Sequence, residues 1–284
     1  MREVDELKRA AIAEVDRLAD RLWEAAAWIG QNPEIAHQEH QAVARLADLL
    51  DIVGVDVETN AFGLRTAFAA RVGPNRRPRV AILAAYDALP SVGHGNGLNL
   101  IGPAAVGAAL ALTSPIESLP GSVVVLGAPE EELTVDDGGL AHLDRAGALG
   151  AVDACLTFHP SQHTFVDPGA APNSAIARAF RRNLEAIGLD VLDSRPEPGL
   201  GSIDFGIVSR RVPSAAAAIS IAEPDVPYPS AAFAEAALSE KAHGALLAAA
   251  KGLAMTAIDL LADPSLLSKA QAEFDVGPGR PIGS

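Results

Sequence analysis

Apolar positions recur at three- and four-residue steps over much of the chain, which predicts amphipathic helices. One helix is expected over residues 4–30 and a second over 37–53. A turn at Asn32-Pro33-Glu34 separates them, because proline disfavours helical backbone in the residue before it. Further helices are predicted over residues 101–112, 138–148, 174–187, 231–261 and 265–274.

Short apolar runs between these helices predict strands. They cover residues 55–58, 66–72, 79–85, 122–127, 153–158 and 215–221. Strands that alternate with helices predict an α/β fold, with a mostly parallel central sheet and helices on both faces. Residues 161–173 are expected to form a loop. We predict one domain over residues 1–275 and a flexible tail over 276–284.

Polar, ionisable residues follow three of these runs at the point where each run ends. Asp87 follows the first, the acidic stretch 130–132 follows the second, and His159 follows the third. In open α/β sheets, ligands bind outside the carboxyl ends of the strands. The sequence therefore predicts one site that is formed by these three segments.

Composition narrows the classes of partner. The 284 residues carry a net charge of −14, so no basic surface is expected to bind nucleic acid. The charged N-terminus does not resemble a secretory signal. No uninterrupted apolar run approaches the roughly 20 residues that cross a bilayer. The single cysteine, Cys155, excludes an internal disulfide. We expect a cytoplasmic protein that acts on a small molecule, away from membranes.

The segment over residues 86–99, YDALPSVGHGNGLN, resembles the metal-site loop of the M20 family of metallo-amidohydrolases and peptidases. Five other segments resemble further family motifs in the same order, and the similarity points to the branch that cleaves N-acyl amino acids or small dipeptides. These segments are residues 28–40, 129–132, 159–160, 201–209 and 232–237. The resemblance implies the M20-type catalytic core as the fold.

Two departures from the family pattern are expected to change the chemistry. In the family loop a Cys and a His bind zinc, but the corresponding residues here are Asn96 and Leu98. A further ligand histidine of the family falls at about Tyr228. The resemblance leaves Glu132 and His159 as metal ligands, whereas catalytic zinc usually has three protein ligands. The family's lid domain of roughly 100 residues, too long for an ordinary loop, is expected to be missing near residues 161–173.

The resemblance gives Glu131 the place of the general base, with a solvated acidic loop as the alternative. His94 is a candidate proton shuttle between two glycines, or else a surface-loop histidine. Asp87 is a candidate catalytic residue or a support for the loop. The catalytic candidates are therefore Glu131, His94 and Asp87, and the substrate-binding candidates are Glu132, His159, Asn96, Tyr228 and Asp204.

Three functions remain open. The first is metal-independent acid/base chemistry without a cofactor: a cyclisation, elimination, isomerisation or assisted hydrolysis of a small amide or amino-acid-derived substrate. The second is a residual metal-dependent hydrolase with weakly bound Zn or Mn, in which Asp87 and His94 supplement Glu132 and His159 as ligands. The third is a non-catalytic ligand-binding protein. A homodimer is compatible with each of them.

Overall fold

The computed structural model describes residues 2–130, 138–193 and 203–276. The helices are α1 (Arg2–Gln31), α2 (His40–Asp51), α3 (Ile101–Ala111), α4 (Gly139–Arg145), α5 (Ser174–Ala186), α6 (Ile203–Val208), α7 (Ala231–Ala236), α8 (Glu240–Ala262) and α9 (Pro264–Val276). The strands are β1 (Val57–Thr59), β2 (Phe68–Val72), β3 (Arg79–Ala84), β4 (Ser122–Gly127), β5 (Ala154–Ser161), β6 (Phe165–Asp167) and β7 (Ser214–Ser220).

The strands form one sheet in the order β1-β2-β4-β3-β5-β7-β6. The four central strands, β4, β3, β5 and β7, run parallel to one another, which confirms the α/β prediction. The outer strands β1, β2 and β6 pair antiparallel with their neighbours, so the sheet as a whole is mixed. The carboxyl ends of β3 and β5 consequently lie at the same edge of the sheet.

The predicted loop over residues 161–173 is wrong in its first half. Strand β5 continues to Ser161, and β6 then adds an antiparallel edge to β7. Phe165 is buried in a small cluster with Phe205 and two alanines of β7. A strand of three residues is too short to give a recognisable alternation, so only this tertiary packing identifies it.

Side chains alternate along β3 between two cores of unequal size. Val80 and Ile82 face a large core that contains residues of α1, α3, α5 and α8. Ala81 and Leu83 face a smaller core beneath α4 and α6, which also contains Cys155. Burial raises the pKa of the Cys155 thiol, which agrees with an inert packed cysteine.

Helix α8 lies in the large core. By length and composition alone it could cross a membrane, and 72% of its most apolar stretch is buried inside the fold. The single helix predicted over residues 231–261 is broken, because α7 ends at Ala236 and α8 begins at Glu240. The Ser239 side chain accepts the backbone N–H of Ala242 at 3.2 Å and so caps the new helix.

A buried polar network connects α1, α5 and α8. The Lys8 ammonium group donates to Asn183 Oδ1 at 2.9 Å and pairs with Asp259 at 2.6 Å. Asn183 Nδ2 donates to Thr256 Oγ1 at 3.0 Å and to Asp259 at 2.9 Å. Lys8 precedes Gly30 by 22 residues of α1, about 33 Å along the helix axis.

Candidate functional site

The loop after β3 is fixed at its start by two buried residues. The Tyr86 hydroxyl donates to the Thr66 carbonyl oxygen at 2.6 Å, and both Tyr86 and Asp87 are fully buried. The next backbone N–H, that of Ala88, donates to the Glu34 carbonyl oxygen at 2.8 Å. The loop is thereby attached to the connection between α1 and α2, and Asp87 lies at its base.

Glycines bring this loop against the end of β5. Gly97 has φ of +79°, and its N–H donates to the His94 carbonyl oxygen at 2.9 Å. A Cβ atom at Gly97 would come within 2.8 Å of the Pro160 Cβ. Only glycine combines this left-handed conformation with so close an approach.

A third segment meets the same loop, just before α7. The backbone N–H of Ser230 donates to the Gly95 carbonyl oxygen at 3.0 Å. A Cβ atom at Gly95 would lie 3.0 Å from the Ser230 carbonyl oxygen. Residues 94–97, 159–160 and 228–230 therefore meet at one place, although they are distant in sequence.

His94 and Asn96 are buried in this loop with unsatisfied polar atoms. His94 is 2% exposed and Asn96 is fully buried. Among the described residues, neither ring nitrogen of His94 and neither amide atom of Asn96 makes a hydrogen bond of acceptable geometry. Burial lowers the pKa of His94 to about 4, and the nearby Ile29 backbone opposes that shift. The imidazole is therefore neutral near pH 7.

His159 faces Tyr228 across the junction. The His159 Nδ1 atom lies 2.8 Å from the Pro160 carbonyl oxygen, so Nδ1 carries the proton and Nε2 has the lone pair. The Tyr228 hydroxyl lies 3.4 Å from Nε2, in position to donate to it. The Tyr228 ring packs edge-on against Phe233, with the ring centroids 4.9 Å apart. Phe233 thus holds the tyrosine beside the end of β5.

Sequence reasoning missed the contacts of Glu39, which is fully buried just before α2. Its Oε1 atom accepts the backbone N–H of His37 at 3.0 Å and that of Glu130 at 3.2 Å. Burial raises the pKa of Glu39, and these donors oppose the shift. No periodicity marks such a residue, because its partner Glu130 is 91 positions away.

The remaining predicted residues are placed only in part. Glu131 and Glu132 lie outside the described residues, as does the side chain of Asp204 at the start of α6. Leu98 is fully buried in the large core. The structure thus brings together His94, Asn96, His159 and Tyr228, and it places Asp87 at the base of the same loop.

The family resemblance implies a metal centre, which requires several ligating side chains at one place. Across residues 2–130, 138–193 and 203–276, no group of three or more His, Cys, Asp or Glu side chains is arranged to hold a metal ion. Leu98 has no lone pair to offer, and Asn96 supplies only a neutral amide. The described part of the site therefore does not fit a two-metal centre.

Comparison with curated proteins identifies relatives that act on amide bonds, although no family model matches the chain. The Xaa-Arg dipeptidase of Homo sapiens is 35% identical over 226 residues, which are 73% of this chain and 50% of the relative. The enzyme of that name from Mus musculus is 39% identical over 174 residues, 56% and 39% of the two chains. One of the subunits of the p-aminobenzoyl-glutamate hydrolase of Escherichia coli (strain K12) is 32% identical over 162 residues, 50% and 31%. The chain spans half or less of the length of these relatives.

Solved structures show the same fold at lower identity. A dinuclear metal-binding peptidase of the M20 family from Bacillus subtilis matches with a TM-score of 0.71 and 15% identity, over 87% of this chain and 99% of that one. A putative aminohydrolase from methicillin-resistant Staphylococcus aureus matches with a TM-score of 0.68 and 16% identity, over 89% and 100%. The mixed seven-stranded sheet is therefore the α/β fold of these proteins.

Proposed function

Because the chain is a homologue of M20 amidohydrolases and peptidases, we propose that it is an enzyme that acts on a small amide-containing or amino-acid-derived substrate. One observation carries the proposal. His94, Asn96, His159 and Tyr228 come from three separate segments and meet where β3 and β5 end. This edge is where open α/β sheets bind their ligands.

The polar atoms at this junction suit an amide. An amide substrate offers an N–H donor and a carbonyl acceptor, and the Asn96 side chain offers the complementary pair. His94 is neutral and adds one donor and one acceptor. Buried polar groups without partners call for an explanation, such as a ligand or an ordered water. We propose that substrate binding satisfies these atoms.

The proposed chemistry is proton transfer without a metal pair, because two ligand positions of the family are Asn96 and Leu98 here. By the family resemblance, Glu131 is the base. In an assisted hydrolysis, Glu131 takes a proton from water as the water oxygen bonds to the amide carbon. The same carboxyl group then returns the proton to the leaving nitrogen as the C–N bond breaks. Cyclisation, elimination and isomerisation would use the same carboxylate.

The neighbouring side chains would orient the substrate. The Asn96 amide N–H can donate to the carbonyl oxygen on which negative charge develops. The Tyr228 hydroxyl can donate to a second polar group of the substrate, held in place by Phe233. In this proposal Asp87, which is fully buried, supports the loop that carries His94 and Asn96.

A metal-dependent dipeptidase is the second candidate, and one finding favours it. The relative that matches 73% of this chain is named Xaa-Arg dipeptidase. Glu132 and His159, supplemented by Asp87 and His94, would be the metal ligands. Of these, the structure describes the side chains of His159, Asp87 and His94.

Metal content and turnover together separate the two candidates. The protein is purified without chelator, its metal content is measured, and it is incubated with Xaa-Arg dipeptides, p-aminobenzoyl-glutamate and N-acyl amino acids, with and without EDTA. Turnover that survives EDTA with substoichiometric metal supports the proton-transfer proposal. Stoichiometric zinc or manganese, with turnover lost in EDTA, supports the dipeptidase. Binding of these amides without turnover contradicts both and favours a non-catalytic binding protein.

A further inference from the structure

The Glu39 carboxylate connects two segments that are far apart in sequence. Its Oε1 atom accepts the N–H of His37, just before α2, and the N–H of Glu130, just after β4. The side chain is fully buried. Burying a carboxylate is unfavourable unless hydrogen bonds compensate it, so these two backbone donors account for its place in the fold.

Both donors belong to residues with left-handed backbone conformations. His37 has φ of +61° and Glu130 has φ of +55°. Such conformations cost on the order of 1–3 kcal/mol for residues other than glycine, and they persist where the surroundings over-determine them. The His37 Nε2 atom also lies 2.5 Å from Glu130 Oε2. The three residues therefore form a closed ring, in which each one contacts the other two.

This ring lies where the chain leaves β4 and begins its acidic stretch. Glu130 directly precedes Glu131, the base in the proposed mechanism. On the other side of that stretch, a Cβ atom at Gly139 would lie 1.9 Å from the Pro129 carbonyl oxygen. The backbone on either side of residues 131–137 is thus held closely.

We propose that Glu39 is a positioning residue, whose buried carboxylate fixes the backbone of Glu130 and hence the direction in which the chain continues to Glu131. The inference rests on the proposed function only for the role of Glu131. The contact between Glu39 and Glu130 is independent of that role.

Replacement of Glu39 by Gln and by Leu distinguishes this role from a simple contribution to packing. Glutamine keeps an uncharged oxygen that can accept both N–H groups, whereas leucine has a similar size and no acceptor. Hydrogen bonds to a charged group contribute roughly 1.5–3 kcal/mol, against roughly 1 kcal/mol for neutral ones. Glu39→Gln should therefore be intermediate between wild type and Glu39→Leu.

The matched control is Asn183→Leu, which breaks a buried network about 33 Å along α1 from the site. Hydrogen–deuterium exchange of the Glu130 amide is measured in the full chain with overlapping peptides. In parallel, kcat and KM are measured on an amide substrate that the wild type turns over. The thermal midpoint of each variant reports its global stability.

We expect Glu39→Leu to speed exchange at Glu130 about tenfold or more, and to lower kcat more than it changes KM. Glu39→Gln should recover part of both effects. Asn183→Leu should lower the thermal midpoint without a selective change at Glu130. Wild-type exchange at Glu130 in Glu39→Leu, or equal acceleration in Asn183→Leu, overturns the inference. If Glu39→Leu does not fold, Glu39→Gln decides alone, and unchanged exchange there overturns it.

Failure of the proposed function has a different signature. In that case the wild type turns over none of the amide substrates, while Glu39→Leu still accelerates exchange at Glu130. That result would support the role of Glu39 in fixing the backbone and would contradict only the catalytic role of Glu131.

Discussion

A Cβ atom at Gly97 would come within 2.8 Å of the Pro160 Cβ, so the absence of a side chain at position 97 lets the loop after β3 reach the end of β5. Asn96 and His159, each adjacent to one of these two residues, are brought together as a consequence. The close approach thus connects a property of one glycine to the assembly of the candidate site.

Gly97→Ala should disrupt this approach. A left-handed alanine costs roughly 1–2 kcal/mol, and overpacking against Pro160 adds roughly 1–3 kcal/mol. Gly147→Ala is the control, because Gly147 has φ of +88° and no heavy atom would meet its added Cβ within 4 Å. Urea unfolding should show the larger loss of stability for Gly97→Ala, accompanied by loss of turnover. Equal losses in the two variants would mean that the contact with Pro160 is unimportant.

The buried His94 should make stability dependent on pH. Its pKa of about 4 in the folded chain lies below the value of roughly 6.5 expected after unfolding. Between these values the unfolded chain binds a proton that the folded chain does not, so stability falls as the pH is lowered from about 6.5 towards 4. The full effect is on the order of 3 kcal/mol.

His94→Gln tests this contribution, because glutamine does not titrate. Urea unfolding of both proteins at several pH values between about 4.5 and 7 gives the difference. The variant should lose less stability than the wild type as the pH falls. Parallel curves would show that His94 does not titrate in this way.

Tyr228→Phe should reduce activity while the fold is kept. The hydroxyl that lies 3.4 Å from His159 Nε2 is removed, but the ring that packs on Phe233 remains. A neutral hydrogen bond contributes roughly 0.5–1.5 kcal/mol, so kcat/KM should fall about three- to tenfold. A double-mutant cycle with His159→Gln should show a coupling between the two positions. Strict additivity would mean that they act independently.

Asn183→Leu should reduce stability and leave turnover unchanged. Asn183 is 3% exposed and hydrogen-bonds to Lys8, Thr256 and Asp259, so its loss leaves buried polar groups without a partner. The expected decrease in the free energy of unfolding is roughly 2–4 kcal/mol. An effect on kcat would show that this network communicates with the site.

The central strands could be predicted because their apolar character is local. Strand β4 lies where the apolar run over residues 122–127 places it, and β3 begins at Arg79 as expected. Strand β6 could not be predicted, because its three residues are identified only by pairing with β7. The break before α8 depends on a single cap by Ser239, within a sequence of strong helix formers.

The site shows the same division between local and tertiary signals. The glycines around His94 and Asn96 pointed to a close approach of the backbone, but not to Pro160 or Ser230 as the neighbours. The buried Glu39 gave no local signal, since its place depends on Glu130 at the end of a strand 91 residues later.

The most direct test of the central claim is the kcat of Glu131→Gln on an amide that the wild type turns over. Glu240→Gln is the control, because its side chain is 97% exposed at the start of α8. General acid–base catalysis contributes about 10²–10⁴-fold, so kcat should fall by that factor while the thermal midpoint stays near that of the wild type. A kcat equal to that of the wild type would contradict the assignment of Glu131 as the base.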